Sequence, residues 1–308
     1  MIETKGLSKY YGSLAALVDL DLTIQAGDIF GFIGPNGAGK TTTMRILATL
    51  LEPTRGRATI DGLNVVNDGA KVRRLVGYMP DFMGVYDDLK VFEYLEFFAA
   101  AYAIPSAKRK GIIDGVLELT DLVGKRAALV DSLSRGMQQR LGLARVLIHD
   151  PKVLILDEPA SGLDPRARIE IRELLRELKR MGKTIMISSH ILSELAELCD
   201  HFGILERGRL VFSGTLGEIR QKLGIQGKVR VRVVDRAEEA VQLLSTLPQV
   251  ASVRQVDDYI SIAFHEGQPV DGLIAETLVR GGFRVLALSP EELKLDDAFL
   301  TLTQGLVH

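Results

Sequence analysis

The stretch Gly34-Pro35-Asn36-Gly37-Ala38-Gly39-Lys40-Thr41 constrains this chain more than any other part of it. It has the spacing G-x4-G-K-[ST], directly follows the apolar run Ile29-Phe30-Gly31-Phe32-Ile33 and precedes a helical stretch from Thr42 to Leu50. A loop of that composition between strand and helix turns its backbone N–H groups inward around phosphate oxygens, with the helix N-terminus pointing at the anion. The glycines are needed on this reading because side chains would block the approach of phosphate. Lys40 reaches the β- and γ-phosphates, and the Thr41 hydroxyl ligates Mg²⁺.

Around this loop, short β-like runs alternate with helical stretches up to about Leu216, the pattern of a mostly parallel sheet flanked by helices. Val153-Leu154-Ile155-Leu156 and Thr184-Ile185-Met186-Ile187 are, like Ile29 to Ile33, apolar on both faces, so these strands belong at the sheet centre. Between them, Val91, Tyr94, Leu95, Phe98 and Tyr102 follow helical spacing. Phe92 and Phe97 fall off that face, which predicts a second buried face. With 46% apolar residues there is material for such a core, and the balance of 38 basic against 40 acidic residues gives no field towards nucleic acid.

Two further strand ends carry polar groups. Asp157 and Glu158 follow Val153 to Leu156, at the edge where a doubly wound sheet puts its ligands. Beside a phosphate loop, Asp157 holds Mg²⁺ through water and Glu158 polarises an attacking water as general base. His190 ends Ile187-Ser188-Ser189-His190 at the same edge and could donate to a γ-phosphate, although a lone histidine there is as readily structural. Leu133-Ser134-Arg135-Gly136-Met137-Gln138-Gln139-Arg140 opens a helix with Met137, Leu141, Ala144 and Ile148 on one face and Ser134 as N-cap. From its residues alone it is an ordinary capped helix or another anion site.

Together these motifs resemble the nucleotide-binding subunit of ATP-binding cassette (ABC) transporters, over about Ile2 to Ile219. Gly34 to Thr41 looks like that family's Walker A, Val153 to Glu158 its Walker B, and Leu133 to Met137 its signature. Ser161-Gly162-Leu163-Asp164 is similar to its D-loop, His190 to its switch histidine and Tyr11 to its adenine-stacking aromatic. The resemblance implies a P-loop NTPase fold: a RecA-like parallel core with an antiparallel β subdomain and a helical subdomain at about 85–150. It also implies ATP and Mg²⁺, with Thr42 and Asp164 among the nucleotide contacts. Because family cassettes pair head to tail, Ser134 and Gly136 act on the partner's ATP, and the chain dimerises with its own copy or a second cassette.

Three positions depart from the pattern: Arg135 replaces a usual glycine, Met137 a usual glutamine, and Asp81 the glutamine that touches Mg²⁺ and couples to the transporter. Asp81 is read as a Mg²⁺ ligand through water, the alternative being a contact to the transmembrane partner. From about residue 223 to 308 the pattern becomes strand, helix, two strands, helix, strand, a split β-α-β unit of ferredoxin-like α+β type, with a last helix from Glu291 carrying Leu293, Ala298 and Leu300. Residues 1–222 are thus read as the ATPase domain and 223–308 as an accessory domain. That architecture and the Asp296-Asp297-Ala298-Phe299-Leu300 tail resemble bacterial ABC-2-type exporters.

The single Cys199 and an N-terminus (Met1-Ile2-Glu3-Thr4-Lys5) without an apolar segment suit a reducing cytoplasm. No apolar run approaches the roughly 18 residues of a membrane span. The expected setting is therefore the cytoplasmic face of the membrane, reached through a separate integral permease, with no nucleic-acid partner. An importer ATPase, or a soluble ABC ATPase of translation or DNA repair, shares the chemistry. Translation-type members carry two cassettes and repair-type members long coiled coils, and this sequence has neither.

Overall fold

The computed structural model describes residues 1–81, 84, 88–189, 191–222, 228–265, 272–290 and 303. The chain forms two compact units, Met1–Leu216 and Gly217–His308. The first runs through β1 (Ile2–Tyr11), β2 (Leu14–Ile24), β3 (Ile29–Ile33), α1 (Lys40–Leu47), β4 (Arg55–Ile60), β5 (Leu63–Asn64), α2 (Gly69–Leu75) and β6 (Val76–Met79). It continues with α3 (Val91–Ala101), α4 (Ser106–Leu119), α5 (Arg135–Leu147), β7 (Val153–Asp157), α6 (Pro165–Arg180), β8 (Thr184–Ser188), α7 (Leu192–Leu198), β9 (His201–Glu206) and β10 (Arg209–Gly214).

Six strands form one sheet in the order β10-β9-β3-β8-β7-β6, parallel throughout except for the antiparallel edge β10. Every residue of β3, β7 and β8 is buried, which is why these strands read as unbroken apolar runs: both faces are covered. A second, antiparallel sheet has the order β2-β1-β4-β5. Leu17, Leu20, Leu22 and Ile24 of β2, Met44 and Leu47 of α1, and Phe30, Phe32 and Ile155 of the parallel sheet share one apolar core. That core seats α1 between the sheets, so the loop from β3 into α1 is held from both sides.

Helix entries are set by local chemistry. Asp164 accepts from the Ala167 N–H at 3.0 Å and Pro165 takes the first helical position, which together start α6. The α6 stripe Ile171, Leu174, Leu175 and Leu178 is buried. In α3, Val91, Tyr94, Leu95 and Ala99 are buried, but the second buried face expected from Phe92 and Phe97 is absent. Phe97 is 50% exposed and meets Phe98 edge-on at 5.2 Å, and the Arg126 guanidinium sits 5.6 Å from the Phe92 ring centre. Ring–ring and cation–ring contacts at the surface take the place of burial.

α8 (Leu216–Lys222) leads into the second unit, which contains β11 (Lys228–Val233), α9 (Ala237–Ser245), β12 (Val250–Val256), β13 (Tyr259–Phe264), α10 (Leu273–Arg280) and β14 (Val285–Pro290). Its sheet is antiparallel in the order β12-β13-β11-β14. Val231, Ile260 and Ile262 pack with Ala240 and Leu244 of α9 and Ile274 and Leu278 of α10. The expected boundary at residue 223 and the expected helix from Glu291, with the 296–300 tail, lie outside the described residues.

Candidate functional site: the strand-end nucleotide site

The C-terminal ends of β3, β7, β8 and β6 lie along one edge of the parallel sheet, the edge at which such sheets bind ligands. β3 delivers the phosphate loop. Gly39 has φ +108, and a Cβ there would sit 2.6 Å from the Ala16 carbonyl oxygen. A Cβ on Gly34 would sit 2.5 Å from the Leu205 carbonyl oxygen. At these two positions the need for glycine is thus internal, set by β2 and β9 pressing on the loop, and not only a matter of room for phosphate.

Lys40 is buried, and its ammonium donates to the Gly34 and Pro35 carbonyls at 2.6 and 3.2 Å. Burial pushes its pKa below the usual lysine range, while the Glu158 and Asp157 carboxylates pull it back up. The ammonium therefore lies within the field of both acids. Thr41, the second residue of α1, donates its hydroxyl to Asp157 Oδ2 at 2.7 Å, joining the phosphate loop to the end of β7.

Asp157 is 3% exposed, and its other oxygen accepts from Ser188 Oγ at 2.6 Å. The same Ser188 oxygen accepts from the Glu158 backbone N–H at 3.0 Å. Glu158 itself has φ +52, a left-handed conformation that costs a non-glycine residue on the order of 1 kcal/mol or more. Ser188, at the end of β8, thus orders both acids. Sequence reasoning passed over it, although its place beside Ser189 and His190 at a strand end was the available signal. His190 lies outside the described residues.

Two hard oxygen donors, a hydroxyl and a carboxylate, stand 2.7 Å apart at this edge, which suits Mg²⁺, an ion that takes few protein ligands and keeps waters and phosphates in its shell. Among the described residues no group of three or more His, Cys, Asp or Glu forms a metal cage. Asp81 is exposed, two residues beyond the end of β6. Tyr11, at the end of β1, is 49% exposed, with the Lys9 ammonium 5.3 Å from its ring centre. A base could stack there.

Ser134 caps α5, its hydroxyl accepting from the Met137 N–H at 3.4 Å, and is exposed. A Cβ on Gly136 would meet the Ala167 Cβ at 3.0 Å, so the start of α5 lies close against the start of α6. The Arg135 guanidinium lies over Gly162, in the space that a Cβ there would need. The residue that departs from the signature pattern therefore covers the loop before α6. Asp164, predicted as a nucleotide contact, spends one oxygen on capping α6.

Residues 17–161 match the family model for ABC transporters. Over 307 residues the chain is 37% identical to the bacitracin transport ATP-binding protein of Bacillus licheniformis, covering 99% of this chain and 98% of that one. It is 34% identical to a Nod factor export ATP-binding protein of Cupriavidus metallidurans, over 98% and 97% of the two chains. Among solved structures, an ATP-binding subunit of an ABC transporter matches 74% of this chain and 95% of its own, with 33% identity and a TM-score of 0.67. A dimeric ATP-binding cassette bound to ADP and Pi in a post-hydrolysis state matches 70% of this chain and 99% of its own, with 26% identity and a TM-score of 0.64. With its phosphate loop, paired strand-end acids and capped signature helix in one fold, and relatives that align along its whole length, the chain belongs to the ABC transporter family as an ATP-binding, ATP-hydrolysing subunit.

Proposed function

We propose that this chain powers export through a separate membrane-spanning subunit, pairing with its own copy or a second cassette. The observation that carries the reading is the junction of Thr41, Asp157 and Ser188 at one strand edge, in a chain whose full-length relatives are named for bacitracin transport, Nod factor export and daunorubicin/doxorubicin resistance. Those alignments run through the C-terminal unit as well as the cassette, which favours an exporter over an importer or a soluble translation or repair ATPase. No helix among the described residues is long and apolar enough to cross a membrane. On the exporter reading the subunit sits on the cytoplasmic face of the membrane by way of its partner.

In the reaction, the loop from Gly34 to Gly39 wraps the phosphates with backbone N–H groups, and Lys40 meets the β- and γ-phosphates. Thr41 and Asp157 would hold Mg²⁺, which when bound would supply positive charge to offset that of the phosphate oxygens. Glu158 takes a proton from the attacking water, and Ser188 fixes its backbone for that task. His190 donates to the γ-phosphate, Thr42 and Asp164 complete the nucleotide contacts, and Tyr11 carries the adenine. Ser134 and Gly136 face the ATP of the partner cassette. Residues 1–222 act as the ATPase domain, and the ferredoxin-like accessory domain that follows serves dimer stability or partner contact.

Isolation of the full chain from native membranes tests this. An integral membrane subunit co-purifies, and the complex hydrolyses ATP. Recovery of an active ATPase with ribosomes or DNA-repair proteins and no integral partner would reject the exporter reading.

A further inference from the structure

The nucleotide site has a neighbour that no motif assigns. Tyr78 lies in β6, paired with Ile155 of β7, two residues before Asp157. Side chains two apart on a strand share a face, and paired residues of adjacent parallel strands point the same way, so Tyr78 and Asp157 project from the same side of the sheet. α1 covers that side, since Thr41 bonds to Asp157, and Arg45 follows Thr41 by one helical turn. Tyr78 packs at the border of the core that includes Ile155 and Met44.

Its hydroxyl is buried, and the Arg45 guanidinium, which can only donate, offers it at most a loose hydrogen bond, so the hydroxyl's own proton has no acceptor among the described residues. A buried hydroxyl left unmatched is unfavourable, and such groups in native proteins call for an explanation, an ordered water or ion among them. Burial and then the Asp157 carboxylate push the Tyr78 phenol above its usual range, Arg45 pulls the other way, and Asp81 adds to the upward push. The phenol stays protonated and is a donor, within the field of the two carboxylates read as metal-holding.

We propose that Tyr78 is a positioning residue whose hydroxyl donates to a water in the coordination shell of the metal held by Thr41 and Asp157, thereby setting metal affinity. This rests on the reading of Asp157 as a metal-holding residue. Outer-shell donors of this kind typically change metal affinity by roughly 10- to 100-fold when removed.

The test measures Mn²⁺ binding by electron paramagnetic resonance in the presence of ATP, on the full chain, for wild type, Tyr78→Phe and Asp157→Asn. Tyr78→Phe should raise the half-saturating Mn²⁺ concentration by about tenfold. Its thermal midpoint without metal should stay close to wild type, because the hydroxyl has only the loose Arg45 contact to lose. An unchanged Mn²⁺ curve in Tyr78→Phe alongside a shifted one in Asp157→Asn overturns the role of Tyr78 and leaves the metal site standing. Unchanged curves in both remove the metal reading and the proposal with it. A lower metal-free midpoint with unchanged Mn²⁺ binding assigns Tyr78 a purely structural bond and likewise overturns the proposal.

Discussion

The phosphate loop before α1 and the signature before α5 are both helix N-termini suited to anions, yet they are built in opposite ways. The first is enclosed: a Cβ on Gly34 or Gly39 would strike the carbonyls of Leu205 and Ala16, Lys40 is tied to the loop, and Thr41 is bonded to Asp157. The second is open: Ser134 is exposed and holds its own helix through one long contact of 3.4 Å. An anion site that works within its own chain can be pre-organised by that chain's core, which removes the cost of ordering it on binding. A site that works on a partner's ligand has to face outward, and its remaining walls come from the partner.

The largest effect that separates the two belongs to the enclosed side. Glu158→Gln keeps shape and hydrogen bonding but removes the base, so turnover falls at least about 10²-fold while ATP binding persists. An ATP-bound dimer should accumulate and be visible by size-exclusion chromatography, because the charge change that follows hydrolysis never comes. ATPase activity within a few-fold of wild type would sink the assignment of Glu158.

Gly34→Ala tests the enclosure itself. The new Cβ would lie 2.5 Å from the Leu205 carbonyl oxygen, a backbone atom that cannot swing aside, so the loop has to move. Lys40 moves with it, since its ammonium bonds to the Gly34 carbonyl at 2.6 Å. Overpacking of this kind costs about 1–3 kcal/mol. If that cost falls on the ATP-binding geometry, affinity drops by roughly 10-fold or more, at 1.4 kcal/mol per factor of ten. Equilibrium titration with a fluorescent ATP analogue reads this directly, and unchanged affinity would show that the loop is not held by Leu205.

What was legible in the sequence follows the same division. β3, β7 and β8 stood out because strands buried on both faces are continuous apolar runs, and the phosphate loop stood out because glycine, lysine and threonine are required at fixed spacing. Contacts between distant segments were not legible: the pressure of Leu205 on Gly34, the clamp of Ser188 on Asp157 and Glu158, and Arg135 over Gly162 depend on which strands become neighbours. Phe97 misled because an aromatic off the apolar stripe implied a second core, whereas edge contact with Phe98 leaves it half exposed. The departure at Arg135 was visible as a substitution, but the glycine beneath it took on meaning only with the fold.

Ser134→Ala probes the open side and should give a smaller effect of a different kind. Loss of an N-cap costs about 0.5–2 kcal/mol, and with a contact this long the low end applies. For a unit of this size that lowers the thermal midpoint by roughly 1–4 °C. ATP affinity of the monomer should stay within about twofold, the change that accompanies roughly 0.4 kcal/mol, while hydrolysis in the dimer falls. If Ser134→Ala weakened monomer ATP binding as much as Gly34→Ala, the signature would be acting on its own chain's nucleotide, and the contrast between the two sites would collapse.

Asp81 lies between these extremes, at the enclosed edge but exposed, and should give the smallest change. A carboxylate 4 Å from a γ-phosphate oxygen would be repelled by roughly 4 kcal/mol per unit charge at an effective dielectric of 20, so Asp81 faces the nucleotide only with a cation between them. Mg²⁺ reached through a water satisfies that condition, since hard oxygen ligands suit it. Because the side chain is exposed, solvent and salt screen the interaction, and the gain shrinks to about 1 kcal/mol or less. Asp81→Asn should therefore raise the Mg²⁺ concentration for half-maximal ATPase only about two- to fivefold, the range that corresponds to that energy at 1.4 kcal/mol per factor of ten. The titration is done without the membrane subunit, which excludes any effect of coupling. Superimposable curves reject the metal role and place Asp81 on the surface that meets the transmembrane partner. A shift beyond about tenfold would mean direct coordination, more than 1.4 kcal/mol from one carboxylate, and would move Asp81 from the screened rim into the enclosed site.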